Sequence, residues 1–217
     1  DQMKAFDRVS HEFLFSTLEA FGFGPSFINW VKLLYRNINS AVIVNGFISD
    51  TFNVSRGVRQ GCPLSPLLYV LCIESFAVKI RSDPHIQGIV FPGSNEQTRI
   101  SLYADDNTGI VVTMASIRKI LLIAELYGFA SGSRLNLFKC NLTLLGAAKR
   151  WSLPPDNFGM TLVPFSKILG LRFGNCDILK ENWTPVLKKI ESVVSHFSER
   201  KSSLHGKAII VNTCILS

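Results

Sequence analysis

The order of apolar periods along the chain predicts an α+β domain, an antiparallel sheet with helices packed on one face. Two observations carry that. Apolar residues three and four apart recur across 10–22, 64–80 and 115–130, which is helical spacing. Between these segments the pattern turns to short β-rich runs, most plainly around Asn45-Gly46 and around residues 103–107.

In the first segment Phe13, Leu14, Leu18 and Phe21 share a face, and Ser10 is a candidate N-cap. Gly22 and Gly24 stop that helix, and Pro25 starts another with Ile28, Val31, Leu34 and Tyr35 on one side. Residues 41–48 read as a hairpin, with Asn45-Gly46 as its turn. Residues 56–63 are a loop by their glycines and proline. The helix from Leu64 to about Ile80 is apolar almost all round and is expected to be central. Arg99 to Val112 reads as two short strands, 115–130 as an amphipathic helix, and 161–173 as another strand pair. The tail from about Lys180 is helical and basic, with Lys188, Lys189, Arg200, Lys201 and Lys207. Domain boundaries are drawn at 1–173, including the segment 161–173, and 174–217.

Composition bounds the class. The 217 residues include 23 Lys plus Arg and 16 Asp plus Glu, a net charge of +7, which suits a polyanionic partner. With 47% apolar residues the chain is not disordered. Charged residues make up only 18%, below the roughly 25% of soluble domains, so some apolar surface is expected to be covered by protein outside this sequence. Five cysteines stand far apart without CxxC pairs, which argues against a disulfide framework or a structural zinc site and for inert thiols. The apolar run Leu67 to Ile73 is far short of the ~20 residues that span a bilayer, and no membrane partner is expected. The opening Asp1-Gln2-Met3-Lys4 is no leader peptide, and the chain reads as a piece of something longer.

Chemistry concentrates at Tyr103-Ala104-Asp105-Asp106. Two adjacent carboxylates at a hairpin tip repel, and a cation relieves the repulsion. Arg99, at the strand start, is the nearest basic residue along the chain. Read alone, Asp-Asp is an ordinary turn pair whose side chains bond their own backbone. Asp7 reads as a helix-entry residue. His11, His85, His196 and His205 show no metal-ligand spacing.

Taken together, Asp1-Gln2-Met3-Lys4-Ala5-Phe6-Asp7, Arg56-Gly57-Val58-Arg59-Gln60-Gly61-Cys62-Pro63-Leu64-Ser65-Pro66 and Tyr103-Ala104-Asp105-Asp106 resemble the first three sequence blocks of reverse transcriptases. The wording is similar to that of non-LTR retrotransposons of the long interspersed element type. Ser131 to Cys140 resembles the fourth block and Phe165-Ser166-Lys167-Ile168-Leu169-Gly170 the fifth, the primer grip. The tail, with Trp183 and Ser203-Leu204-His205-Gly206-Lys207, is similar to a thumb-side segment. Five blocks in order are specific; the four-residue third block alone would not be.

The resemblance implies a polymerase palm, an antiparallel sheet with helices on one face, plus a partial helical thumb. It implies catalytic Asp1, Asp105 and Asp106 as ligands of two Mg²⁺ ions, with Mn²⁺ as an alternative; a metal pair serves both attacking and leaving oxygens in nucleotidyl transfer. Gln60 and Gly61 are implied to touch the incoming nucleotide, and Phe6 to exclude a ribose 2′-hydroxyl. Arg59, with Arg56, is implied to meet template or triphosphate. Lys139 is implied to donate a proton to pyrophosphate; by its residue type alone it reads equally as a solvated strand-end lysine. Leu169 and Gly170 are implied primer-grip residues.

The function implied is RNA-directed DNA synthesis from dNTPs on a primer 3′-hydroxyl during retrotransposition. Its partners are an RNA template and a DNA primer or target. The fingers and endonuclease regions of the same polyprotein are expected outside the chain, and isolated residues 1–217 are expected to be inactive or nearly so. A ribonucleoprotein in nucleus and cytoplasm is the expected location. The alternatives are a catalytically inactive, nucleic-acid-binding remnant, which intact Asp1, Asp105 and Asp106 disfavour, and an RNA-directed RNA polymerase palm, which Phe6 disfavours.

Overall fold

A computed structural model describes residues 2–175, 177–198 and 203–215. Three helices open the chain: α1 (Ala5–Arg8), α2 (His11–Ala20) and α3 (Pro25–Leu34). Four two-residue strands follow, β1 (Asn39–Ser40), β2 (Ile43–Val44), β3 (Phe47–Ile48) and β4 (Phe52–Asn53). Next come α4 (Ser65–Ser82), β5 (Ile89–Val90), β6 (Gln97–Thr98), β7 (Ile100–Tyr103), β8 (Asp106–Gly109) and α5 (Met114–Ser131). The remainder holds β9 (Asn141–Leu142), β10 (Thr161–Leu162), β11 (Phe165–Ile168), β12 (Leu171–Gly174), α6 (Ile178–Ser198) and α7 (Leu204–Ile210). Among the described residues no helix is long and apolar enough to cross a membrane.

The chain divides into two compact units, Asp1–Cys140 with Pro154–Thr161, and Asn141–Leu153 with Leu162–Ser217. In the first, the helices start and stop where local chemistry dictates. The Ser10 hydroxyl accepts from the Phe13 N–H at 3.2 Å and caps α2. Thr113 caps α5 by accepting from the Ser116 N–H at 3.2 Å, and Gly132 ends that helix at φ 82°. The core forms where α4 meets α2 and α5 and where α3 packs on α2: Leu14 and Leu18, Ile28 and Val31, Leu68, Tyr69, Ile73 and Ile80, and Ile123 are buried. Each such aliphatic side chain contributes roughly 1.5–3 kcal/mol. α4 is central as expected, but it is not covered all round: Leu67, Val70 and Val78 are exposed.

At the far end of α4, Asp83 ties the helix exit to α5. Its Oδ1 accepts from the His85 N–H at 2.9 Å, and Lys119 Nζ lies 3.4 Å from Oδ2. The His85 amide first, and Lys119 second, hold this carboxyl below its ordinary value.

The strands pair in two-stranded antiparallel ladders, β1 with β4, β2 with β3, β5 with β6, and β7 with β8, rather than as one continuous sheet. Residues 2–10 show why. Lys4 takes a left-handed φ of 47° and Ala5–Arg8 turns helical. The segment therefore meets its neighbours through single bridges, Gln2 to Leu135 and Ser10 to Arg56. The Asn45-Gly46 turn is present, with φ of 50° and 84°, as a two-residue hairpin loop requires. Its strands carry exposed apolar side chains, Phe47 at 81%, and Trp30 on α3 is 67% exposed, in line with the low charge content.

In the second unit β11 pairs with β12 across a Leu169-Gly170 turn at φ 48° and 90°. α6 packs on this hairpin through Arg172, whose guanidinium pairs with Glu181 and whose N–H donates to Asn182 Oδ1 at 2.7 Å. The Asn182 amide donates back to the Arg172 carbonyl at 2.9 Å. Segment 165–174, grouped with the residues before it on sequence grounds, thus packs with α6, which follows it. Cys176, Arg200 and Lys201 lie outside the described residues.

Candidate active site

The β7–β8 hairpin pairs Leu102 with Asn107 and Tyr103 with Asp106. Opposed residues share a face, so Ile100 and Leu102 turn to the core while Tyr103 and Asp106 face outward. Ala104 opens the two-residue loop at φ 52°, a conformation that disfavours a residue with a β-carbon. Strain of this kind persists where surrounding structure fixes it, and it gathers at functional tips. Asp105 and Asp106 are both exposed, and among the described residues neither is in an ion pair.

Tyr69 of α4 is fully buried. Its hydroxyl donates to Gln2 Oε1 at 3.1 Å, and the Phe6 ring stacks on it with centroids 4.4 Å apart. Burial is the main cause that raises the Tyr69 pKa, Tyr127 adds to it, and the charge of Asp105 adds further. One aromatic side chain therefore touches residues 2 and 6 and senses Asp105. Asp1, the third expected carboxylate, lies outside the described residues.

Residues 2–10 are held by backbone on two flanks. On one side the Gly57 N–H donates to the Val9 carbonyl and the Val58 N–H to the Phe6 carbonyl, each at 2.7 Å. His11 Nε2–H donates to the Gly57 carbonyl at 3.0 Å. Gly57 sits at φ 86°, and a β-carbon there would lie 2.8 Å from Asp7 Cα, so only glycine permits the approach. On the other side the Met3 N–H donates to the Arg134 carbonyl and the Ser10 N–H to the Ser131 carbonyl, both at 2.8 Å. The Arg8 guanidinium donates to the Gly132 carbonyl at 3.0 Å.

The loop pinned in this way carries exposed Arg59, Gln60 and Gly61. Gln60 Nε2 donates to Asp7 Oδ1 at 3.0 Å. Gly61 has φ 84° with open space around it, so its conformation rather than a neighbour in the chain calls for glycine. Cys62 follows at the entry to α4. The Leu64 backbone N–H holds its thiol below the ordinary value, with help from Ser65 and Arg59. Lys139 ends a 3₁₀ turn over Leu137–Lys139, exposed and without an ion pair to Asp105 or Asp106. Leu169 and Gly170 form the hairpin tip of the second unit.

Residues 1–173 match the family model described as reverse transcriptase (RNA-dependent DNA polymerase). The chain belongs to that family. All five sequence blocks fall within the matched span. The chain is 37% identical over 155 residues to the transposon TX1 uncharacterized 149 kDa protein of Xenopus laevis, covering 71% of this chain and 12% of that protein. It is 31% identical over 142 residues to the Pol polyprotein of the type-2 retrotransposable element R2DM of Drosophila melanogaster, covering 64% of this chain and 13% of that one. A type-1 element R2 Pol polyprotein of Popillia japonica is 23% identical over 208 residues, 88% of this chain and 33% of its own length. The chain thus spans from about an eighth to a third of the length of these three relatives.

Family membership bears on the carboxylates. Reverse transcriptases use divalent metal ions. Asp105 and Asp106 offer hard oxygen donors, exposed and, among the described residues, in no ion pair, which fits such an ion. Among the described residues no group of three His, Cys, Asp or Glu side chains comes together.

Two features escaped the sequence reading. Tyr69 was hidden in an all-apolar helix, although a tyrosine there signals a buried hydroxyl in need of a partner. Asp7 lies within α1, ahead of α2, which Ser10 caps, and its carboxylate meets Gln60 from 53 residues away.

Proposed function

We propose that the chain is the palm (1–173) and the start of the thumb (174–217) of an RNA-directed DNA polymerase of the non-LTR retrotransposon type. It adds dNTPs to a primer 3′-hydroxyl on an RNA template. One observation carries the reading: the strained tip exposes Asp105 and Asp106, and the charge of Asp105 reaches buried Tyr69, which holds Gln2 and Phe6.

In this reading Asp1, Asp105 and Asp106 hold two Mg²⁺ ions, which when bound stabilise the attacking and leaving oxygens. The chain's own groups do the rest. Phe6, propped by Tyr69, presents a ring where a ribose 2′-hydroxyl would collide. Gln60, Gly61 and Arg59 line the nucleotide from the loop pinned to residues 6–9. Lys139 supplies a proton toward the leaving pyrophosphate, and Leu169-Gly170 supports the primer end. The fingers and any nuclease belong to further parts of the polyprotein, and a ribonucleoprotein in nucleus and cytoplasm is the setting.

The test is primer extension on an RNA template with dNTPs and Mg²⁺, by the longest polypeptide that carries these residues. Synthesis by the wild type and its loss in Asp105→Asn support the reading; undiminished synthesis by Asp105→Asn overturns it. Residues 1–217 alone are expected to extend a primer weakly or not at all.

A further inference from the structure

We propose, on the reading of Gln60 as a nucleotide contact, that Asp7 is a positioning residue that fixes which way the Gln60 amide faces. A glutamine amide has two ends of nearly equal shape, one a donor and one an acceptor, and a free side chain samples both orientations. Asp7 Oδ1 stands 3.0 Å from the Gln60 amide nitrogen. An aspartate carboxylate only accepts, so the nitrogen must be the end that turns to it, however the amide is drawn. The Gln60 carbonyl oxygen and its second N–H are then left in one arrangement for a ligand.

The geometry behind this contact is set by backbone. The Gly57 and Val58 amides donate to the Val9 and Phe6 carbonyls, on either side of Asp7. Gly57 packs directly on the Asp7 main chain, closer than any residue with a β-carbon allows. Gln60 thus follows two residues after a stretch locked to the segment that carries its partner. Among the described residues Asp7 enters no ion pair, so its carboxylate is not engaged by a cation of the chain. Both side chains are exposed, where a hydrogen bond of this kind adds little to stability. Orientation, not stability, is what the contact supplies.

The readout is binding of the next dNTP to a complex on a dideoxy-terminated primer with Mg²⁺, which needs no turnover. It is measured on the longest polypeptide that carries the chain. Gln60→Ala and Asp7→Ala are each expected to weaken binding by about tenfold, and the double variant no more than either alone. Asp7→Asn, which keeps the shape but can donate as well as accept, falls between wild type and Asp7→Ala. Gln60→Glu places two acceptors together and binds worst, and adding Asp7→Asn restores part of the loss because the new amide donates to Glu. Thermal midpoints stay at the wild-type value for Asp7→Asn. Weak binding by Gln60→Ala with unchanged binding by Asp7→Ala and Asp7→Asn overturns the role of Asp7 and leaves Gln60 in the site. So do additive losses in the double variant. Unchanged binding by Gln60→Ala, or no dNTP binding by the wild type, removes Gln60 from the nucleotide site and the role of Asp7 with it.

Discussion

The Phe6 ring lies on the ring of Tyr69 with centroids 4.4 Å apart and planes 26° apart. Tyr69 is fixed by burial and by its bond to Gln2, so it is the floor on which Phe6 rests. Removing the ring and removing its floor should have related effects. Phe6→Ala is expected to raise incorporation of rNTPs relative to dNTPs. Tyr69→Leu keeps the core filled but loses the stack, and should relax the same preference by a smaller factor. Single-nucleotide kinetics with matched dNTP and rNTP measure both. A preference unchanged in Phe6→Ala would remove this residue from sugar discrimination.

Tyr69→Phe asks a different question. It keeps the stack and deletes the hydroxyl, leaving the buried Gln2 amide without its donor. An unsatisfied buried group costs about 1–3 kcal/mol. Urea unfolding should show a loss in that range, with sugar preference intact.

Asp105→Asn and Asp106→Asn alter exposed side chains at a hairpin tip. Their effect on stability should stay within about 0.5 kcal/mol. Their effect on synthesis should be about two orders of magnitude or more for Asp105, because in the proposed function a divalent ion would lose a carboxylate ligand. Parallel unfolding curves and primer-extension rates separate the two quantities. Comparable losses in both would mean that the tip is structural.

Gly57→Ala places a β-carbon 2.8 Å from the Asp7 main chain at a left-handed φ. Nothing flexible stands in the way to give ground. Overpacking costs typically 1–3 kcal/mol, so a clear drop in urea midpoint is expected. Gly46→Ala, with open space around it, pays only for its φ and should cost less.

The Asp83 carboxyl lies below its ordinary value of 3.8, so the unfolded chain takes up the proton at higher pH than the folded one. Its contribution is complete above the unfolded value and falls away as pH drops through the folded one. Unfolding midpoints followed downward from pH 6 should therefore decline in wild type, and Asp83→Asn should decline less steeply. Identical slopes would show that the tie between α4 and α5 carries no proton linkage.

Much of the fold could be read from local chemistry. Ser10 before an apolar stripe, Pro25 after two glycines, Asn45-Gly46 between β-rich runs and the alternation around Asp105 each depend on neighbours within a few residues, and each appears where expected. What eluded the sequence depends on partners far away. Phe21 and Leu34 share helical faces with buried residues yet are exposed, because periodicity tells which residues are aligned and not what covers them. The hairpin carrying Leu169 joins the second unit through Arg172, Glu181 and Asn182, an arrangement with no local signature. In the candidate site the Asp105-Asp106 tip was legible as a motif. The convergence of Gln2, Phe6 and Tyr69 was not, because 63 residues separate the stacked rings.

Main-chain amides grip residues 3–10 from both sides, and most of that grip is indifferent to which side chains the segment bears. Chemistry and scaffold are thereby uncoupled along this stretch. In the proposed reading, a replacement at Phe6, or at Asp7 through Gln60, changes what a nucleotide meets without moving the segment that presents it, which makes these eight positions a natural place to retune substrate choice while the surrounding architecture stays put.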